Sequence, residues 1–123
     1  MKTLNSYITE KILINKNTQI DKNDPHSWNI DDIIYTVKSH IPTFFQIIKK
    51  TPKGFIVKEL KEKIVKGAYN SPAGYTVIPD KSDFAMMNVT SKASITSDNK
   101  VKISGSYAYY FDGTPIHGYL AYD

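Results

Sequence analysis

The sequence predicts an α+β domain in which N-terminal helices pack on one face of a C-terminal antiparallel β-meander of three to four strands. Apolar residues before position 67 recur mostly at helical spacing, whereas residues 84–123 alternate between apolar and polar side chains. The 123 residues, 41% of them hydrophobic, suit one domain with a modest core. We expect residues 1–24 to form a separate lead-in that ends in a polar linker, and residues 25–123 to form the single α+β domain.

The first predicted helix follows Asn29, a residue type favoured at the N-cap. Asp31 and Asp32 then fall in the first turn, where carboxylates stabilise the positive end of the helix dipole. Its apolar stripe consists of Ile30, Ile33, Ile34, Val37 and Ile41. His40 closes the helix, and Pro42 ends it. The segment "PTFFQIIKK" after it fits either a new helical turn or a strand, because it is rich in β-branched and aromatic residues.

A further helix is predicted for "FIVKELKEKIVKG", where Ile56, Leu60 and Ile64 lie at helical spacing. Lysine and glutamate also alternate there in pairs four residues apart, which supports a helix. Gly67 suits its C-terminal end. The stretch "YTVIP" then predicts a short strand that ends at Pro79.

The meander is predicted from three alternating segments joined by two turns. A three-residue loop, with Asn99 in the left-handed conformation, pairs Ile95 with Val101 and Ala93 with Ile103. The same register continues to pair Val89 with Tyr107 and Met87 with Tyr109. A two-residue turn at Asp112 and Gly113 pairs Tyr109 with Ile116, Tyr107 with Gly118 and Gly105 with Leu120. In this register Tyr107, Tyr109 and Phe111 face the core.

The charge of the chain comes from lysine alone, because the sequence contains no arginine. The net charge is +4. Lysine binds phosphate as a point charge and lacks the planar fork that reads guanine, so it favours polyanions without sequence readout. Lysines are concentrated between positions 49 and 66, and the candidate polyanion-binding residues are Lys49, Lys50, Lys53, Lys58 and Lys61.

No constellation of residues predicts catalysis. His26, His40 and His117 lack metal-ligand spacing, the glycines form no phosphate-binding loop, and there is no cysteine. We therefore expect no catalytic, cofactor-binding or metal-binding residues, and a protein that is not an enzyme. No apolar run is long enough to cross a membrane.

Tyrosines suggest two kinds of contact. Tyr107 and Tyr109 beside lysines are compatible with stacking on single-stranded bases, although core packing explains their alternation better. Tyr110, Tyr119 and His117 fall on the opposite face and form a candidate protein-binding patch. The predicted partner is therefore a protein, with nucleic acid as the alternative on grounds of charge.

The first ten residues, "MKTLNSYITE", resemble the capsid-targeting peptides of internal head proteins of T-even-type tailed bacteriophages. The resemblance implies cleavage after the triplet Ile8, Thr9 and Glu10, and a non-catalytic phage or prophage protein that binds a virion or host protein. The implied location is the virion or the host cytoplasm. The alternative for these residues is an ordinary amphipathic helix that packs on the domain.

Overall fold

The computed structural model describes residues 22–85 and 89–119, which form an antiparallel β-structure instead of the predicted α+β domain. Within these two ranges there is no α-helix, and one turn of 3-10 helix, Pro25–Ser27, precedes the strands. The strands are β1 Ile33–Lys38, β2 Ile41–Thr51, β3 Gly54–Gly67, β4 Tyr75–Phe84, β5 Ser91–Ile95, β6 Val101–Ile103, β7 Ser106–Tyr110 and β8 Ile116–Gly118.

Six of these strands close into a barrel in the order β1-β2-β3-β5-β6-β7, with β7 hydrogen-bonded back to β1. The first half of β3 pairs with β5, and its second half pairs with β4. Strand β8 pairs with β4, so β4 and β8 extend the sheet outside the closed ring. The prediction of helices packed on a meander is therefore wrong.

The segment predicted as the first helix forms β1 and the turns on either side of it. Ile33 and Ile34 are adjacent and both buried, because β1 separates two apolar regions and each of its faces packs. Such a strand loses the alternation that identifies a half-exposed strand, and its apolar residues imitate a helical stripe. Asp31 lies in a turn with a φ of 77°, and His40 lies in the β1–β2 turn with a φ of 66°. Neither residue therefore begins or ends a helix.

The segment after Pro42 takes the strand alternative. Pro42 itself lies near the start of β2, opposite Val37, where it is buried. Phe44 and Phe45 point to opposite sides and are both buried. The "FIVKELKEKIVKG" segment is β3 and not a helix, and β4 continues through Pro79 to Phe84.

The C-terminal strands confirm one predicted hairpin and contradict the rest of the meander. Ile95 pairs with Val101 and Ala93 with Ile103, and Asn99 has the left-handed φ of 66°. The next segment is not one strand, because Ser104 and Gly105 form a turn with positive φ angles of 50° and 83°.

This turn reverses the chain and changes every later pairing. Tyr107 now lies opposite Lys102, and neither Tyr107 nor Tyr109 faces the core. Gly118 lies opposite Tyr75 of β4, not opposite Tyr107. The predicted partners Met87 and Leu120 lie outside the described residues.

The apolar residues form two cores, one on each side of the β1–β2–β3 wall. The first core fills the barrel and consists of Trp28, Ile34, Phe45, Ile47, Phe55, Val57, Ala93, Val101, Ile103 and Ala108. The second core lies between the wall and β4, and consists of Ile33, Phe44, Leu60, Tyr75 and Val77. Phe111 and Ile116 pack at its margin. The second core covers one part of the barrel exterior and leaves the surface of β5, β6 and β7 exposed.

Candidate binding face

The exposed barrel surface carries a row of lysine and tyrosine side chains. The strand register places Lys102 of β6 between Ser94 of β5 and Tyr107 of β7. Tyr109 of β7 lies opposite Tyr35 of β1. Because directly opposed residues share one face of a sheet, all these side chains lie on the barrel exterior. We call this surface the open face, and it consists of Tyr35, Lys92, Ser94, Lys102, Tyr107 and Tyr109.

The two tyrosines of β7 are the most exposed aromatic rings of the open face. Tyr107 is 47% exposed and Tyr109 is 53% exposed, whereas Ala108 between them points into the barrel and is buried. The Lys102 ammonium lies 4.9 Å from the centroid of the Tyr107 ring, within cation–π distance. The rings of Tyr35 and Tyr109 lie 5.7 Å apart with a tilt of 44°. Tyr35 therefore supports one side of Tyr109 and leaves about half of that residue accessible.

Acidic residues are unevenly distributed among the barrel strands, and β3 carries them at Glu59 and Glu62. Strands β1, β2, β5, β6 and β7 contain no aspartate or glutamate, and their charged side chains are all lysines. Carboxylates occur in the adjoining loops, at Asp98 and at Asp112, which lines one end of this surface. The hydroxyl of Thr96 donates a hydrogen bond to Asp98 and lowers the pKa of that carboxyl, and Lys100 and Lys102 lower it further. The open face is therefore a basic surface with acidic side chains at its margin.

A groove of about 630 Å³ opens at one end of the open face. It forms because β6 begins at Val101, opposite Ala108, while β7 continues to Tyr110. The aromatic residues Tyr107, Tyr109 and Tyr110 line it together with Lys22 and Lys100. The groove thus continues the mixture of aromatic rings and ammonium groups found on the open face.

Residues 22–28 form one wall of this groove, although the sequence placed residues up to 24 in a separate lead-in. Trp28 is buried, stacks on Phe55 at 5.7 Å and donates its indole N–H to the carbonyl of Lys22 at 2.9 Å. The amide of Asn99 donates a hydrogen bond to the Asp24 carboxylate at 3.1 Å. These contacts tie the segment to the barrel and position Lys22 beside the Tyr110 ring, 5.0 Å from its centroid.

The tyrosine hydroxyls of this region are held in the neutral form. Burial raises the pKa of Tyr35, and the nearby Asp112 carboxylate raises it further. Burial also raises the pKa of Tyr110, with Asp32 and Asp112 adding to the effect. Because both shifts move the pKa upward, these hydroxyls remain protonated at neutral pH and can donate hydrogen bonds.

The predicted polyanion-binding lysines are spread along the β2–β3 hairpin. Lys49 and Lys50 lie near the end of β2, and Lys53 lies in the turn. Lys58 lies over the Phe84 ring, and Lys61 forms an ion pair with Asp83 at 3.4 Å.

Lys49 continues the charge of the open face across the sheet. It lies opposite Ile56, and Ile56 in turn lies opposite Lys92. The five predicted lysines therefore do not form one cluster, and the strand register connects Lys49 to the open face.

The predicted protein-binding residues do not form one patch, because Tyr110 lies on β7, which pairs with β1, whereas His117 and Tyr119 lie on or next to β8, which pairs with β4. Tyr110 packs beside Trp28, with ring centroids 6.2 Å apart, and lines the groove. Tyr119 stacks on His40 at 4.3 Å and donates its backbone N–H to the His40 carbonyl. His117 is exposed on β8, opposite Thr76 of β4. The proposed cleavage triplet at residues 8–10 lies outside the described residues.

Sequence reasoning missed the lysines of the open face and assigned its tyrosines to the core. The missed residues are Tyr35, Lys92, Lys100 and Lys102. The available signal was the dipeptide Ser104-Gly105, a turn-forming pair that divides the alternating segment. A turn at that point reverses the side-chain register and places the β7 tyrosines outside.

Within residues 22–85 and 89–119, no three histidine, aspartate or glutamate side chains are close enough to hold a metal ion. A search of the same ranges for a helix with the length and apolar character needed to cross a bilayer finds none.

The fold and the open face together define a small closed β-barrel with a basic, aromatic exterior. Comparison with known proteins finds no matching family model, no matching curated protein and no matching solved structure.

Proposed function

We propose that this protein is a non-catalytic nucleic-acid-binding protein that contacts the phosphate backbone through the open face, without sequence specificity. The observation that carries the proposal is the position of Lys92 and Lys102 beside exposed tyrosines, on strands that contain no carboxylate. Clustered lysines on one face of a domain are the electrostatic feature expected of a phosphate-binding surface. Lys100 extends the same charge into the groove, where the Lys22 ammonium is paired with Asp32 at 3.8 Å.

The composition of the open face favours nucleic acid over a protein partner. Tyrosine is enriched in both kinds of interface, but lysine is depleted in the buried centre of protein–protein interfaces. On the open face, lysine and tyrosine are direct neighbours, as the contact between Lys102 and Tyr107 illustrates. A protein partner would have to desolvate these ammonium groups, whereas a phosphate backbone neutralises them and releases counterions.

Salt-dependent binding tests the proposal. Fluorescence anisotropy should detect binding to labelled DNA at low salt, and the affinity should fall as salt rises. A triple variant, Lys92→Gln, Lys100→Gln and Lys102→Gln, should reduce the salt slope by about 2 to 3, because each phosphate contact contributes about 0.7 to 0.9. Lys63→Gln is the matched control, since Lys63 is exposed on the second half of β3.

Two results would contradict the proposal. One is the absence of binding at low ionic strength. The other is a decrease in salt slope per lysine removed that is as large in the Lys63→Gln control as in the triple variant, because a charge effect independent of position does not require the open face.

A second candidate function is the binding of a virion or host protein. The observation in its favour is the stack of Tyr119 on His40, in which Tyr119 remains 38% exposed. The partner would contact this exposed ring and the neighbouring β8 surface at His117. Tyr119→Ala should then abolish binding of the partner and leave nucleic-acid binding unchanged. Loss of nucleic-acid binding in this variant would contradict the separation of the two surfaces.

The proposed biological setting is a bacteriophage head or the cytoplasm of its host, and it depends on the resemblance of residues 1–10. Packaging in a head would place the protein next to condensed DNA, which fits a phosphate-binding surface. Intact mass measured from the native source tests the setting directly. A chain that begins at Lys11 supports targeting and cleavage, whereas a mature virion protein that retains residues 1–10 contradicts cleavage.

A further inference from the structure

We propose that the nucleic acid bound by the open face is single-stranded, and that unpaired bases stack on Tyr107 and Tyr109. This inference rests on the proposed function and adds the class of ligand. Aromatic side chains beside a basic track are the features that bind single strands without sequence preference, because every base offers a flat face to a ring.

The two rings are accessible because folding does not require them to be buried. Ala108 provides the inward packing of β7, while Tyr107 and Tyr109 remain about half exposed. Tyr107 lies opposite Lys102 of β6, which in turn lies opposite Ser94 of β5. Two large aromatic residues placed on the solvent side of one short strand gain little from the core, which indicates a role in contact with a ligand.

The spacing of the rings selects an unstacked strand. Residues two positions apart on one face of a β-strand are separated by about 6.6 to 6.8 Å. Successive bases in duplex DNA are stacked at about 3.4 Å and cover one another's faces. Two consecutive bases can therefore lie on Tyr107 and Tyr109 only if they separate from each other, which a flexible single strand permits and a duplex resists.

The cations lie where the backbone of such a strand would pass. Lys102 is directly opposite Tyr107, and Lys100 lies one position before β6. On β1, Tyr35 lies opposite Tyr109 and contacts its ring, with the two ring centroids 5.7 Å apart. This arrangement fixes two stacking rings on a rigid strand and leaves the flexible ammonium groups to follow the phosphates.

The experiment compares a labelled oligothymidine of about 20 nucleotides, longer than the usual footprint of one small barrel, with a duplex of the same length. The single strand should bind more tightly at equal salt. Tyr107→Leu and Tyr109→Leu should each weaken single-strand binding at least about fivefold, and duplex binding should change much less. Tyr107→Phe and Tyr109→Phe should retain binding, because they keep the ring.

Tyr69→Leu is the matched control, since Tyr69 is an exposed tyrosine in the β3–β4 loop, outside the open face. Equal affinity for both DNA forms, with no effect of the leucine variants but a clear effect of the lysine variants, would overturn the stacking proposal and leave phosphate binding intact. Failure to bind either form at low salt would overturn both proposals. The melting temperature of each leucine variant should match that of the parent, so that a loss of binding reports contact with DNA.

Discussion

Barrel closure depends on a close approach of β3 and β5 at Gly54, and Gly54→Ala should disrupt it. Gly54 lies opposite Ser94. A Cβ atom added to Gly54 would lie 1.9 Å from the carbonyl oxygen of Ala93 and 3.0 Å from the Cα atom of Ser94. Ordinary contact begins near 3.4 Å, so the two backbones would have to separate by about 1.5 Å (3.4 minus 1.9).

The magnitude follows from the nature of the obstacle. Overpacking a folded protein usually destabilises it by about 1 to 3 kcal/mol, and a backbone atom in a sheet cannot rotate away as a side chain can. We therefore expect Gly54→Ala to lower the free energy of unfolding by about 3 kcal/mol or more. For a chain of this size that corresponds to a decrease in melting temperature of about 10 °C or more.

Gly113→Ala is the matched control, because it tests left-handed geometry without a steric obstacle. Gly113 has a φ of 100°, and an added Cβ would meet nothing within 4 Å. We expect a loss of about 1 to 2 kcal/mol from the backbone conformation alone.

Urea and thermal unfolding followed by circular dichroism measure both variants. Complete loss of the cooperative transition in Gly54→Ala also agrees with the reasoning. If Gly54→Ala is within about 0.5 kcal/mol of the parent, a range typical of surface substitutions, β3 and β5 do not pair as described.

Three other predictions test the cores, the lead-in segment and the indole. Phe44→Ala should lower the free energy of unfolding by about 3 to 5 kcal/mol because Phe44 is fully buried, whereas Tyr109→Ala should lower it by about 1 kcal/mol or less. If urea unfolding gives the opposite order, the Tyr109 side chain faces the core, as the sequence predicted. Hydrogen bonds from the backbone N–H and the ring of His26 lower the pKa of Asp24, so this carboxylate should stabilise the fold above its ordinary pKa and lose that effect as the pH falls through the lowered value. Acid titration of Asp24→Asn should therefore show a smaller decrease in melting temperature than the parent, and an identical decrease would contradict the assigned contacts. Trp28, the only tryptophan, should emit at short wavelength in the native state and shift to the red on unfolding, together with the circular dichroism signal. Native emission typical of hydrated indole would show that Trp28 is not buried in the barrel core.

The sequence predicted one hairpin loop correctly and misassigned most of the elements before it. The loop before Val101 was predicted correctly, because its geometry depends on Asn99 and on the alternation beside it. β1 was mistaken for a helix and β2 was left open between helix and strand, because Ile33 and Ile34, like Phe44 and Phe45, are buried on both sides of one wall. A strand between two cores has no polar face, so its periodicity carries no signal that distinguishes it from a buried helix.

The candidate site was missed for a related reason. Alternation shows which residues share a face, but it does not show which face is covered. Tyr107 and Tyr109 were correctly grouped together and assigned to the wrong side, because the turn at Gly105 was not recognised. The second core, formed by Tyr75 and Val77 against the wall, is a long-range arrangement that no local pattern reveals.

The pairing of β1 with β7 has a consequence for how the chain is made. Ile34 lies opposite Tyr110, and the Phe111 N–H donates to the Ile33 carbonyl, so the ring of strands stays open during synthesis until the ribosome has released almost all of the described sequence. Until then β1 lacks its second neighbour, so its backbone presents an unpaired edge, and the apolar interior of the open ring stays uncovered. We expect nascent chains that stop before β7 to depend on chaperones. We also expect the complete chain to fold slowly, because segments distant in sequence must pair.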